Sequence, residues 1–162
     1  MEKIKSFQID HMRLQRGLYV SRIDPCKEGA DHSVTTFDLR VCKPYHDQPM
    51  DACVIHTIEH LGATFLRTRS YFADSIIYFG PMGCRTGFYL IIDGNLSVED
   101  VKGTVREMFA WMATYDGPIP GASVQECGNV EMHDLIEARR IAHEYYNETL
   151  CNLDETNTKY PE

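Results

Sequence analysis

Apolar residues recur along the chain with a period of two or of about 3.6, and each change of period marks a new element. Residues 17–23 and 34–42 read as strands. In the second, Phe37, Leu39 and Val41 alternate with Asp38, Arg40 and Cys42, the sign of a strand buried on one side, so Arg40 points away from the core side. Residues 75–79 and 88–92 are continuously apolar instead, which predicts strands covered on both faces. Between them lies the glycine-rich turn Gly80-Pro81-Met82-Gly83-Cys84-Arg85-Thr86-Gly87.

From 51 to 65 the pattern is helical, with Ala52, Ile55, Ile58, Leu61, Ala63 and Phe65 on the apolar side, Pro49 upstream and Asp51 placed to cap. Ser97-Val98-Glu99-Asp100 resembles a capping box with Asp in place of Glu. The helix it opens carries Val101, Val105, Met108, Phe109 and Met112 and should end near Asp116-Gly117-Pro118. A third helix is predicted over 132–150, with Leu135, Ile136, Ile141, Tyr145 and Tyr146 inward. Beyond it, the acidic Asp154-Glu155 before Lys159 reads as a tail that frays.

Three helices can cover one face of an antiparallel sheet of about four strands, yet two strands read as buried on both faces. A second copy of the chain is the simplest cover for the other face, which predicts a homodimer packed sheet to sheet. Nothing divides the 162 residues, so one domain spanning 1–162 is expected. The net charge of −8, with no dense Lys/Arg patch, argues against nucleic acid or an anionic membrane as partner. No apolar run reaches about 18 residues and the start lacks a secretory pattern, so a cytoplasmic protein is expected, with its six cysteines reduced.

Chemistry concentrates in His56-Thr57-Ile58-Glu59-His60. Residues four apart on a helix share a face, so the two imidazoles can converge on one ion while Glu59, beside it, is free to move protons. Such a pair needs a third ligand. Cys53 lies about 10 Å of axial rise before His60 and cannot easily bring a thiolate to the usual distance of about 2.3 Å. Cys127, Cys84, Glu126 and Glu131 remain candidates. Cys127 lies in a loop before the last helix, and with the two histidines it would leave an open, catalytic position suited to zinc or ferrous iron. Cys84, at the tip of the turn beside Arg85, is the thiol with the best setting for ionisation.

Taken together, Ser6-Phe7-Gln8-Ile9-Asp10-His11, Phe37-Asp38-Leu39-Arg40, the His56–His60 pentapeptide, the turn from Gly80 to Phe88 and Cys127-Gly128-Asn129 resemble the S-ribosylhomocysteine lyase (autoinducer-2 synthase) family of bacteria over nearly the full chain. The resemblance implies an α+β fold and a divalent metal held by His56, His60 and Cys127, Fe2+ natively and often Zn2+ as isolated. It implies acid/base roles for Glu59 and Cys84, and substrate contacts from Ser6, His11 and Arg40, with the N-terminal segment donated across a homodimer interface. The implied reaction converts S-ribosylhomocysteine to L-homocysteine and 4,5-dihydroxy-2,3-pentanedione. An aldehyde migrates along the sugar through enediolates until the carbon–sulfur bond can break by β-elimination, a step of the activated methyl cycle that also supplies a quorum-sensing precursor.

Two other readings compete. H-x-x-E-H is also the inverted zinc-peptidase motif, with Glu126 or Glu131 as third ligand. A metal-binding module or receptor with no open position would use the same histidines without chemistry.

Overall fold

The computed structural model describes residues 8–26 and 32–161. Strands β1 (Gly17–Pro25), β2 (Ser33–Arg40), β3 (Ile76–Pro81) and β4 (Gly87–Asp93) form one antiparallel sheet in the order β1-β2-β4-β3. The register aligns Leu18 with Leu39, and Phe37 with Leu90, so large apolar side chains stack across one face. Strand β2 stops at Arg40; from Val41 the chain turns away, with the N–H groups of Val41 and Cys42 both donating to the Thr86 carbonyl.

Helices α1 (Ala52–Thr68), α2 (Val98–Thr114) and α3 (Leu135–Glu144) belong to the core on this face. Asp51 caps α1 by accepting from Cys53 N–H, and Ser97 with Asp100 closes a complete capping box on α2. Ile58 and Leu61 of α1 and Val101, Val105, Met108, Phe109 and Met112 of α2 are fully buried, each such side chain contributing about 1.5–3 kcal/mol.

The third helix is shorter than its apolar pattern suggested. Asp134 caps it by accepting from Glu137 N–H, and beyond Glu144 the chain continues as a π turn, Tyr145–Thr149, and a 3-10 turn, Leu150–Asn152. The inward stripe is Ala138, Ala142 and Tyr145, whereas Ile136 is exposed. Small residues let α3 approach α2 closely, so the larger Ile136 falls on the outer side.

Among the described residues a fourth helix, α4 (Glu155–Thr158), lies in the segment expected to fray. Asp154 and Asn157 form a capping box there, Lys159 pairs with Glu155, and the Tyr160 ring stacks on Tyr19 of β1 at 4.8 Å. This C-terminal segment covers the β1 end of the sheet's second face. At the β3 edge Ile77 and Tyr78 stay 48% and 45% exposed, so within one chain the apolar strands are not covered on both faces. Arg40 does point away from the helices, but it is buried beneath that cover.

Candidate active site: a metal-ligand cluster and a thiol pocket

Helix α1 turns Ile55 and Ile58 into the core and leaves His56, Glu59 and His60 half-buried along one stripe. The two imidazoles stand edge to face, centroids 4.5 Å apart and planes at 89°. His56 Nδ1 lies 2.9 Å from the Met132 carbonyl and His60 Nδ1 lies 2.7 Å from the Pro120 carbonyl. A carbonyl can only accept, so each Nδ1 carries a proton, which makes Nε2 the ring atom available to a ligand. The loop holding Pro120 turns through Gly121 at φ +69, a conformation that suits glycine, and packs directly on the His60 ring.

Cys127 closes the cluster from its loop, with Sγ 3.4 Å from His56 Nε2 and within reach of the Asn129 N–H. A fourth group, His133, also belongs. Ligand atoms from His56, His60, Cys127 and His133 all lie within 4.8 Å of one another. A tetrahedral ion with bonds of about 2.0–2.3 Å needs donors roughly 3.3–3.8 Å apart, so the set requires only slight contraction. Imidazole nitrogens and a thiol sulfur fit a divalent metal by softness and by number. Glu126, the peptidase alternative, instead accepts from Ser123 Oγ; neither it nor Glu131 joins the cluster.

The fixed tautomer of His133 follows from Thr57. Its hydroxyl donates to the Cys53 carbonyl at 2.8 Å, so the 3.2 Å contact with His133 Nδ1 has the ring N–H as donor. His133 Nε2 is then a bare lone pair, buried and without a protein partner. The sequence did carry a signal for it: His133 follows Cys127 by six residues in the same loop.

Glu59 lines a cavity of about 460 Å³ together with His56, His60, Phe79, Pro120 and Cys127. Cys84, Arg40 and His11 are not among the residues of that wall.

These residues gather elsewhere. The turn between β3 and β4 is closed by Met82 N–H donating to the Gly87 carbonyl, with Arg85 at φ 58. Cys84 Sγ sits 3.1 Å from Thr86 Oγ1 and 3.8 Å from Arg40 Nη1, which also donates to Thr86 at 2.6 Å. Burial opposes ionisation of this thiol, but the hydrogen bonds from Thr86 and the Arg40 charge outweigh it and hold Cys84 below the usual range. Arg40 Nη2 donates to Asp38 Oδ2 at 2.6 Å, and the Tyr160 hydroxyl donates to the same oxygen at 3.0 Å. Arg40 Nε and Asp38 Oδ1 are buried without partners. His11, half-buried with Nδ1 at 2.9 Å from the Ile9 carbonyl, is close enough for its charge to act on Asp38. Ser6 lies outside the described residues.

The predicted site residues therefore fall into two groups in one chain. The sequence missed Asp38, Thr86 and Tyr160 as well as His133; Asp38, two positions before Arg40 on one strand face, was the most accessible of them.

Comparison with known proteins gives one answer. The family model described as S-Ribosylhomocysteinase (LuxS) matches residues 4–156. The chain is 51% identical over 161 residues to an S-ribosylhomocysteine lyase of Desulfotalea psychrophila, covering 99% of each chain. It is 45% identical over 161 residues to that of Clostridium beijerinckii, again covering 99% of each. With the one from Clostridium acetobutylicum it shares 44% over 162 residues and the full length of both.

Proposed function

Because the chain belongs to the S-ribosylhomocysteinase (LuxS) family and is a carbon–sulfur lyase that cleaves S-ribosylhomocysteine, we propose that the ligand cluster and the thiol pocket are two halves of one active site. The observation that carries this is the pairing of an exposed, easily ionised thiol with a cluster whose free donors suit a divalent metal.

His56, His60 and Cys127 would hold one Fe2+ per subunit, or Zn2+ as isolated, and the bound ion would supply Lewis acidity to a sugar carbonyl and to the enediolate formed from it. Glu59, on the cavity wall beside the histidines, serves as one acid/base group. Cys84 serves as the other, its thiolate sustained by Thr86 and Arg40. The two move protons on opposite sides of the carbon chain, first in the aldose–ketose steps and then in the β-elimination that frees L-homocysteine and leaves 4,5-dihydroxy-2,3-pentanedione. Arg40 contacts substrate with its unpaired Nε, since a buried guanidinium donor without a partner is costly unless a ligand satisfies it. His11 and Ser6 complete the sugar contacts.

The separation of the halves supports a homodimer in which the N-terminal segment bearing Ser6 and His11 reaches the partner's cluster. The half-exposed Ile77 and Tyr78 supply apolar surface on the sheet face such a dimer would use. We place this single catalytic domain in the cytoplasm, without nucleic-acid or membrane partners. Its charge of −8 favours that assignment, and among the described residues no helix is long and apolar enough to cross a membrane.

Anaerobic incubation of iron-loaded protein with S-ribosylhomocysteine, with free thiol titrated over time, tests the reaction. One thiol should appear per substrate consumed; absence of release overturns the assignment.

A further inference from the structure

We propose that the C-terminal segment is a positioning element for the thiol pocket, with Tyr160 fixing Asp38, Asp38 fixing Arg40, and Arg40 holding the Cys84 thiolate.

The chain of contacts is continuous. Tyr160 lies flat on Tyr19, 4.8 Å and 9° apart, and its hydroxyl donates to Asp38 Oδ2. That oxygen also accepts from Arg40 Nη2, while Nη1 of the same guanidinium faces Thr86 and Cys84. A guanidinium is a rigid planar fork, so fixing one prong fixes the direction of the other. Asp38 and Arg40 are 1% and 2% exposed. The two stacked tyrosines close over a charge pair that would otherwise meet water, and exclusion of water strengthens the field of Arg40 at the sulfur.

Tyr160 is itself anchored. Segment 153–161 carries α4 with its capping box, and Asn157 Nδ2 donates to the Asn152 carbonyl.

The groups that act on Cys84 can be named from every neighbouring element. They are Thr86 of the turn and Arg40 of β2, which act on the sulfur directly, and Tyr89 of β4, which faces its charge; Asp38, Tyr19 and Tyr160 act on Arg40 or on one another, and His11 acts on Asp38. Arg40 is the cation among these that acts on the sulfur. Loosening Arg40 should therefore raise the pH at which the thiol ionises.

The inference rests on Cys84 being the acid/base thiol, but its test does not use turnover. Cys84 alkylation by iodoacetamide is measured against pH in the full-length protein by peptide mass mapping, with the exposed Cys26 and Cys151 as internal references. Tyr160→Ala should move the Cys84 midpoint up by about one pH unit, a tenfold slower reaction below the midpoint, and leave the two references unmoved. Tyr160→Phe keeps the stack, loses the hydroxyl and should move it up by less. If Tyr160→Ala does not fold, the Phe variant decides. An unmoved Cys84 midpoint, or an equal shift at all three cysteines, overturns the proposal. Loss of thiol release from substrate with the Cys84 shift intact would instead count against the reaction assignment alone.

Discussion

His133 lies flat against His56, with ring centroids 4.2 Å apart and planes 15° apart. The stacked ring thereby buttresses His56, while its own Nε2 stays within the donor cluster. Thr57 locks this arrangement, since its hydroxyl oxygen receives the His133 ring N–H and the Asp134 backbone N–H at the entry to α3. Replacing a group that orients a metal ligand typically weakens metal binding 10- to 100-fold. His133→Ala should show a loss of about that size in chelator competition, with His133→Phe, which keeps a flat ring, losing less. Equal affinity in all three proteins would show that the stack does not steady His56.

The third ligand can be separated from its rivals in one experiment. Cys127→Ala removes the sulfur 3.4 Å from His56 Nε2 and should abolish stoichiometric metal. Glu126→Gln, which disturbs only a bond to Ser123, should retain it. Full metal content in the Cys127 variant would return the peptidase arrangement to consideration.

Why some of this was legible in the sequence and some was not has physical causes. The histidines, Glu59 and the α1 cap are local, written within a few residues of one helix, and the period-2 pattern read over 34–42 set Phe37 and Leu39 against the helices. What lay hidden depends on contacts distant in sequence: His133 on His56, Tyr160 on Asp38, and the π turn that ends α3. The alternation that put Arg40 on the far side of β2 could not say that a C-terminal tyrosine would bury it. Likewise, continuous apolarity in 75–79 signalled a need for cover, which a single chain leaves unmet at Ile77 and Tyr78.

An ion-pair network pins the start of the first strand to the C-terminal end of α3. Arg16 bonds Asp47 at 2.7 Å and Glu144 at 2.6 Å, each partner's side chain less than a third exposed. For Asp47, burial is outweighed by the bonds from Arg16 and the Lys43 backbone; for Glu144, the Arg16 bond dominates, and both carboxyls titrate below their ordinary range. A carboxyl with a lowered folded pKa stabilises the fold above its unfolded value and loses that contribution as pH falls through the folded one. Arg16→Met should cost about 1–3 kcal/mol at neutral pH. Thermal melts of the two proteins should converge as pH drops below about 4, where the carboxyls protonate. A gap that persists undiminished at pH 2–3 would assign the loss to packing instead.

Glu59 and Cys84 offer the sharpest division of labour. Neither belongs to the ligand cluster, so Glu59→Gln and Cys84→Ala should both retain metal while turnover falls by at least the 10²- to 10⁴-fold typical of a lost acid/base group. Because the two groups stand in different parts of the fold, they should serve different faces of the sugar, and each variant should stop at a different stage. Trapping with a carbonyl reagent and analysing products distinguishes the aldose, the 2-ketone and the 3-ketone. Accumulation of one and the same species in both variants would mean that the two residues act at a single step. Loss of metal in either would mean that the residue supports the cluster instead of the chemistry.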